Sequence, residues 1–278
     1  MAFSPHVGSP SWIEILNPEV ELGSIKYALI DFDGTISVIR QGWEDVMVPM
    51  MVEMICGGNL VSPEIEREVR EYVDYSTGIL TIKQMEWLAE AVRRHGMAEP
   101  LDPYEYKRIY NERLLKVVER RLERLRSGEL NPDDLMIYGS RKFLEGLYDR
   151  DVVMYLVSGT DHGYVMNEAE ALKITKYFRG GVYGALDRTE AHTKERIIRR
   201  ILDEEGLRGN ELIVIGDGPV EIRNAKARGA IALGVASDEV RRKGLNPKKR
   251  RRLTAAGADL IIADYSEHER LLRYLFKE

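Results

Sequence analysis

The stretch Lys26-Tyr27-Ala28-Leu29-Ile30-Asp31-Phe32-Asp33-Gly34-Thr35-Ile36 decides the fold. Ala28, Leu29 and Ile30 form an apolar run too short for a helix, and Gly34 ends it, so a short buried strand hands over to a sharp turn. Asp31 and Asp33 are separated by one residue and project to the same side of an extended chain. Carboxylates held that close repel one another unless a cation joins them, and a divalent metal is the usual one. Two acids that simply solvate a strand end before a turn are the plainer reading, and the rest of the chain has to choose.

Towards the C-terminus the pattern alternates. Val152–Val157, Glu211–Ile215 and Ala230–Val235 read as buried strands, with shorter ones near Gly181–Tyr183 and Asp259–Ala263. Helical periods fall between them, at Ser140–Tyr148, Tyr164–Leu172, Thr193–Glu205 and Glu221–Arg228, and a last helix ends near Phe276. Continuous apolar strands separated by amphipathic helices indicate an α/β fold, a parallel sheet with helices on both faces. Ligands of such sheets bind outside the carboxyl ends of the strands.

Between the first strand and this region lies a different pattern. Val46, Met47, Met50, Met51, Met54 and Ile55 recur at helical spacing, Gly57-Gly58-Asn59 stops the run, and Ser62-Pro63-Glu64 starts another. Further helical segments cover Ile65–Tyr75, Ile82–Arg94 and Pro103–Leu125. The expected organisation is an irregular lead-in over 1–24, a core made of 25–40 and 130–278, and an inserted all-helical cap over 41–129. Trp12, Ile13, Ile15 and Leu16 are apolar enough to pin the lead-in to the core. The Met-rich stripe reads as core packing rather than an adaptable substrate surface. The basic residues of Tyr110–Arg126 read as a solvated, ion-paired face, and Lys248-Lys249-Arg250-Arg251-Arg252 as an exposed basic loop or helix start.

The 278 residues are 44% hydrophobic and 31% charged with a net charge of −5, values of a globular protein with no global attraction to nucleic acid or anionic membrane. Cys56 is the only cysteine, which excludes an internal disulfide and a cysteine-based zinc cluster. Five histidines without paired spacing suggest no histidine metal site. The N-terminus lacks a basic stretch followed by an apolar run, and no segment approaches the roughly 20 apolar residues of a membrane span. A reducing cytoplasm is the expected location, with neither nucleic acid nor membrane as partner.

Polar groups stand where the sheet would present them. The strand ending at Val157 delivers Ser158-Gly159-Thr160, a hydroxyl and a close backbone amide suited to a phosphate oxygen, though equally to a turn. The strand ending at Ile215 delivers Gly216-Asp217-Gly218-Pro219-Val220-Glu221. Four acids gathered at one sheet edge call for a cation, and hard oxygen ligands favour Mg²⁺. Lys194, near a helix start, is a charge able to offset a phosphoryl group. His192 reads as a surface or loop residue. Arg40, Gln41, Trp43 and Lys83 read as structural or solvated rather than as substrate contacts.

In this order Asp31-Phe32-Asp33-Gly34-Thr35, Ser158, Lys194 and Gly216-Asp217 with Glu221 resemble the four motifs of the haloacid dehalogenase superfamily, in its phosphatase branch. The helical insert resembles the cap many members carry after the first motif. The resemblance implies a Rossmann-like core and a phosphoric monoester hydrolase acting on a small phosphorylated metabolite. Asp31 would attack phosphorus to form an aspartyl-phosphate, and Asp33 would serve as acid and base. Mg²⁺ would be held by Asp31, the backbone carbonyl of Asp33, and Asp217; Ser158, Gly159 and Lys194 would bind phosphate. Thr35 and Glu221 would stand behind these groups, although Glu221 replaces the usual Asp, leaving open whether it reaches metal directly, acts through water or orients Lys194. An acid at position 33 favours phosphate esters over carbon–halogen bonds. A sugar phosphomutase using the same intermediate, and a non-catalytic phosphate-binding or scaffolding protein, are the alternatives.

Overall fold

The computed structural model describes residues 12–186, 194–204 and 206–278. Among the described residues seven strands form one sheet: β1 (Ile13–Ile15), β2 (Tyr27–Asp31), β3 (Val153–Asp161), β4 (Gly181–Ala185), β5 (Leu212–Gly216), β6 (Ile231–Val235) and β7 (Leu260–Ile262). Their order is β1-β7-β6-β5-β2-β3-β4, parallel throughout except for β1. β2 lies inside the sheet, with Ala28 opposite Met154 of β3 on one side and Ile213 of β5 on the other. Its residues divide between the faces as an extended chain requires. Ala28 and Ile30 enter one apolar cluster and Leu29 the other.

The lead-in is not wholly irregular. Ile13–Ile15 pairs antiparallel with β7, Ile13 is buried, and Trp12 packs edge-on against Tyr274. A three-residue strand shows too little alternation to be read as one. Residues 1–11 of the lead-in lie outside the described residues.

Four helices follow β2: α1 (Trp43–Cys56), α2 (Pro63–Tyr75), α3 (Thr81–His95) and α4 (Pro103–Arg126). Gly57 closes α1 in the left-handed conformation, and Ser62 caps α2 ahead of Pro63. Met47, Met50 and Met51 are buried in the larger apolar cluster, which runs unbroken from the sheet through Ile36 and Ile39 into these helices. Along α4, Arg113 pairs with Glu53 and Arg124 with Glu129, both exposed, whereas Arg121 donates inward to the carbonyls of Ile39 and Gln41.

The remaining helices are α5 (Ser140–Tyr148), α6 (His162–Ala171), α7 (Lys194–Glu204), α8 (Pro219–Ala227), α9 (Pro247–Ala256) and α10 (His268–Phe276). β3 runs further than expected. It continues through Ser158, Gly159 and Thr160 to Asp161, with a register shift against β4 after Val157. Such an irregularity re-aims side chains at a strand end. Among the described residues no helix is long and apolar enough to cross a membrane.

Candidate active site

Because β3, β2 and β5 are parallel neighbours, the residues at their carboxyl ends converge: Ser158, then Asp31 and Asp33, then Asp217. Gly34 permits the turn, with φ of +75°, and a Cβ there would stand 2.4 Å from Asp217 Oδ2. The turn can therefore press against the Asp217 loop only without a side chain.

The two acids of the opening strand have different surroundings. Asp31 Oδ1 accepts from Lys194 Nζ at 2.6 Å, and Oδ2 accepts from the Thr35 hydroxyl at 3.0 Å. Asp33 Oδ2 accepts from the hydroxyls of Ser158 (3.1 Å) and Thr160 (3.2 Å), while its buried Oδ1 has no partner among the described residues. Burial raises the Asp33 carboxyl above its ordinary range, against the lowering effect of Arg40 and the two hydroxyls. The Ser158 hydroxyl thus faces Asp33, and it also accepts the Thr160 amide.

Glu221 does not stand free. Its Oε1 accepts the Gly218 amide at 2.7 Å and its Oε2 the Lys194 ammonium at 3.2 Å, both buried. Burial alone would lower the Lys194 pKa, but Asp31 and Glu221 outweigh it and keep the ammonium charged.

One carboxylate oxygen each of Asp31, Asp217 and Glu221 lies within 4.8 Å of the others, and all three residues are buried. Burial, reinforced by Glu221 and Asp217, holds the Asp31 carboxyl well above its ordinary range despite Lys194. A divalent cation among these hard oxygens would reverse that sign, so the donor set fits Mg²⁺. Asp31 and Asp217 are the carboxylates best placed for it, since both line the cavity described below, whereas Glu221 stands behind it. The Asp33 side chain turns away towards Ser158, which leaves only its main chain for a metal.

The sequence did not reveal four other contributors. Lys249 Nζ lies 2.6 Å from Asp217 Oδ2 and 2.7 Å from Glu239, and Arg252 lies 3.5 Å from the same Asp217 oxygen. Burial opposes them, yet together these two cations hold Asp217 below its ordinary pKa. The basic run is therefore a helix start, but Lys249 and Arg252 face inward rather than into solvent. Arg40, read as structural or solvated, is buried, lines the pocket and donates to both Glu168 oxygens, closest at 2.6 Å. Gly78, in the turn between α2 and α3, has φ of +93°, and a Cβ there would meet Glu221 Oε2 at 2.5 Å. The only signal for it was a glycine interrupting helical periodicity.

Glu168 offers a pH test. Burial pushes its carboxyl up to about 7, and Arg40 offsets this only in part. A carboxyl raised on folding binds its proton more tightly in the native state, so its stabilising contribution is complete below the unfolded value near 4.5 and lost as pH rises through 7. The difference in unfolding free energy between the wild type and Glu168→Gln, from urea titrations, should change with pH across that window and be flat above it.

Asp31, Asp33, Arg40, Tyr110, Ser158 and Lys194 line a cavity of about 80 Å³, closed on one side by Thr77, Gly78 and Ile79. A wider pocket of about 480 Å³ shares Gly78, Ser158, Gly159 and Lys194 and continues past Lys83, Arg196 and Arg199. His192 and the rest of 187–193 lie outside the described residues.

The sequence model of the haloacid dehalogenase-like hydrolases matches residues 25–229, which includes all four motifs. A 5'-nucleotidase of Pseudomonas aeruginosa is 30% identical over 109 residues, 37% of this chain and 48% of the relative, so the chain spans about half the length of the curated relative it matches. The fold is shared with a predicted phosphatase from Clostridium acetobutylicum (TM-score 0.58, 16% identity, 90% of this chain and 99% of that one). It is also shared with a beta-phosphoglucomutase from Clostridium difficile (TM-score 0.57, 13% identity, 90% and 97%). Since the matched span covers most of the chain and holds the convergent strand ends, the protein belongs to the haloacid dehalogenase-like hydrolase family.

Proposed function

We propose that the chain is a Mg²⁺-dependent phosphatase that hydrolyses a small phosphorylated metabolite through an aspartyl-phosphate on Asp31. The observation that carries this reading is the division between the two acids: Asp31 is engaged by Lys194 and Thr35, whereas Asp33 keeps a buried Oδ1 without a partner among the described residues. A carboxyl raised by burial, with one oxygen fixed by two hydroxyls, is suited to holding a proton on the other.

In this reading an Asp31 oxygen attacks phosphorus and the bond to the leaving oxygen breaks. Asp33 Oδ1 hands its proton to that oxygen. The resulting Asp33 carboxylate then takes a proton from water as the water attacks the aspartyl-phosphate, which releases phosphate and restores Asp31. Lys194, oriented by Glu221, offsets the phosphoryl charge throughout. When bound, Mg²⁺ would add a further positive charge against the phosphoryl oxygens, held by Asp31, Asp217 and the Asp33 carbonyl. Ser158 and Gly159 would orient phosphate, and residues 41–129 would act as a cap over a core of 25–40 and 130–278. The small cavity suits a phosphoryl group, with the leaving group in the wider pocket. Cys56, free and buried, fits a reducing compartment, the cytoplasm.

The test is phosphate release from a panel of phosphorylated metabolites. Nucleoside monophosphates belong on it because of the 5'-nucleotidase relative. Chelation by EDTA is expected to lower release by about a hundredfold or more, and added Mg²⁺ to restore it. Activity indifferent to EDTA would overturn the metal assignment. An isomerised product without net phosphate would indicate a phosphomutase.

A further inference from the structure

The run Lys248–Arg252 opens α9, and its cations diverge. Lys248 pairs with Asp74, Lys249 with Asp217 and Glu239, and Arg250 with Glu14 on β1. Arg252, three residues beyond Lys249 and so on the same helix face, is only 11% exposed at its side chain. Its Nη2 and Nε donate to the Asp217 carbonyl at 3.1 and 3.3 Å. Its Nη1 reaches the other way, to Asp74 Oδ1 at 3.2 Å and Thr77 Oγ1 at 3.3 Å. One planar guanidinium therefore spans the loop that carries Asp217 and the turn that carries Gly78. That turn forms one wall of the catalytic cavity and lies directly on Glu221.

We propose that Arg252 is a positioning residue that fastens the Thr77-Gly78-Ile79 turn to the Asp217 loop and thereby sets the wall of the cavity beside Lys194. The task needs arginine. Five donors in a fixed fork serve two partners in opposite directions, which a single ammonium does not. Lys248 also pairs with Asp74, but its side chain is 54% exposed, and a solvated pair of that kind contributes little. The effect on turnover rests on the phosphatase reading; the fastening itself does not.

The fastening is read by hydrogen exchange of the substrate-free full chain, followed in peptides covering residues 74–81. Arg252→Met keeps the apolar stem and removes the fork, and exchange in that segment is expected to quicken about tenfold while peptides from β6 and α10 stay unchanged. Asp74→Ala should produce a similar local change, the double variant should add little to either, and Arg252→Lys should not restore protection. In phosphate release with Mg²⁺, Arg252→Met is expected to lower kcat/KM by about tenfold, mostly through KM, because Asp31, Asp33 and Lys194 keep their hydrogen-bond partners and Asp217 keeps Lys249. Wild-type exchange over 74–81 in Arg252→Met, full additivity of the two variants, or rescue by lysine would each overturn the proposal. Should Arg252→Met fail to fold, Asp74→Ala, at a residue one-third exposed, decides by itself. If the wild type releases no phosphate from any ester, the phosphatase reading falls while the exchange data still judge the fastening.

Discussion

Asp31→Asn is expected to lower Mg²⁺-dependent phosphate release by about ten-thousand-fold or more while leaving the protein folded. The amide is nearly the same size as the carboxylate but is a poor nucleophile towards phosphorus. It also ends the 2.6 Å pairing with Lys194, which keeps Glu221 as its remaining carboxylate partner. Folding should not suffer, since burial and the carboxylates of Glu221 and Asp217 already disfavour a charge at Asp31. The melting temperature is therefore expected to be unchanged or higher. Turnover within tenfold of wild type in a folded Asp31→Asn protein would remove the covalent mechanism.

Asp33→Asn tests the second half of the chemistry and should behave differently. Proton delivery to the leaving oxygen and activation of water both depend on this side chain, and their loss is expected to cost about a thousandfold in steady-state turnover of an alkyl phosphate. An ester with a good leaving group, such as p-nitrophenyl phosphate, needs no proton for the first step. With it the variant should give a burst of one nitrophenolate per active site and then stall as the Asp31 phosphoenzyme, detectable by intact-protein mass. Equal loss on both esters, with no burst, would place Asp33 outside proton transfer. The amide also disturbs the acceptor role of Oδ2 towards Ser158 and Thr160, so a Ser158→Ala control separates that contribution.

The parts of this site that could be read from sequence are those whose chemistry is local. The spacing of Asp31 and Asp33 fixes their shared side, and the apolar runs before Ser158 and Asp217 place both at strand ends. Parallel pairing then brings the ends together without further information. What escaped reading depends on distant parts of the chain. Lys249 and Arg252 look like any exposed basic run until the fold lays α9 against Asp217, and Arg40 is distinguished from a surface arginine by distant partners, the Tyr164 ring and above all Glu168, 128 positions away. The apolar run predicts a strand ending at Val157, whereas β3 continues through Ser158, whose hydroxyl turns to Asp33, with an irregularity against β4. Such irregularities leave no periodic trace. Glu221 shows both sides: its place at the start of α8 is evident from sequence, and only the folded chain supplies the two donors that engage its carboxylate.

The three residues of β1 also bear on how this protein behaves at high concentration. A parallel sheet that ended at β7 would present the backbone of Leu260, Ile261 and Ile262, all buried side chains, as an open template for another chain. The antiparallel pairing of Ile13–Ile15 occupies that row of donors and acceptors with a strand too short to recruit a further partner. The ion pair from Glu14 to Arg250 pins it to α9. β1 thus covers a sheet edge that would otherwise be open, with a segment that lies outside the cavity of the acids.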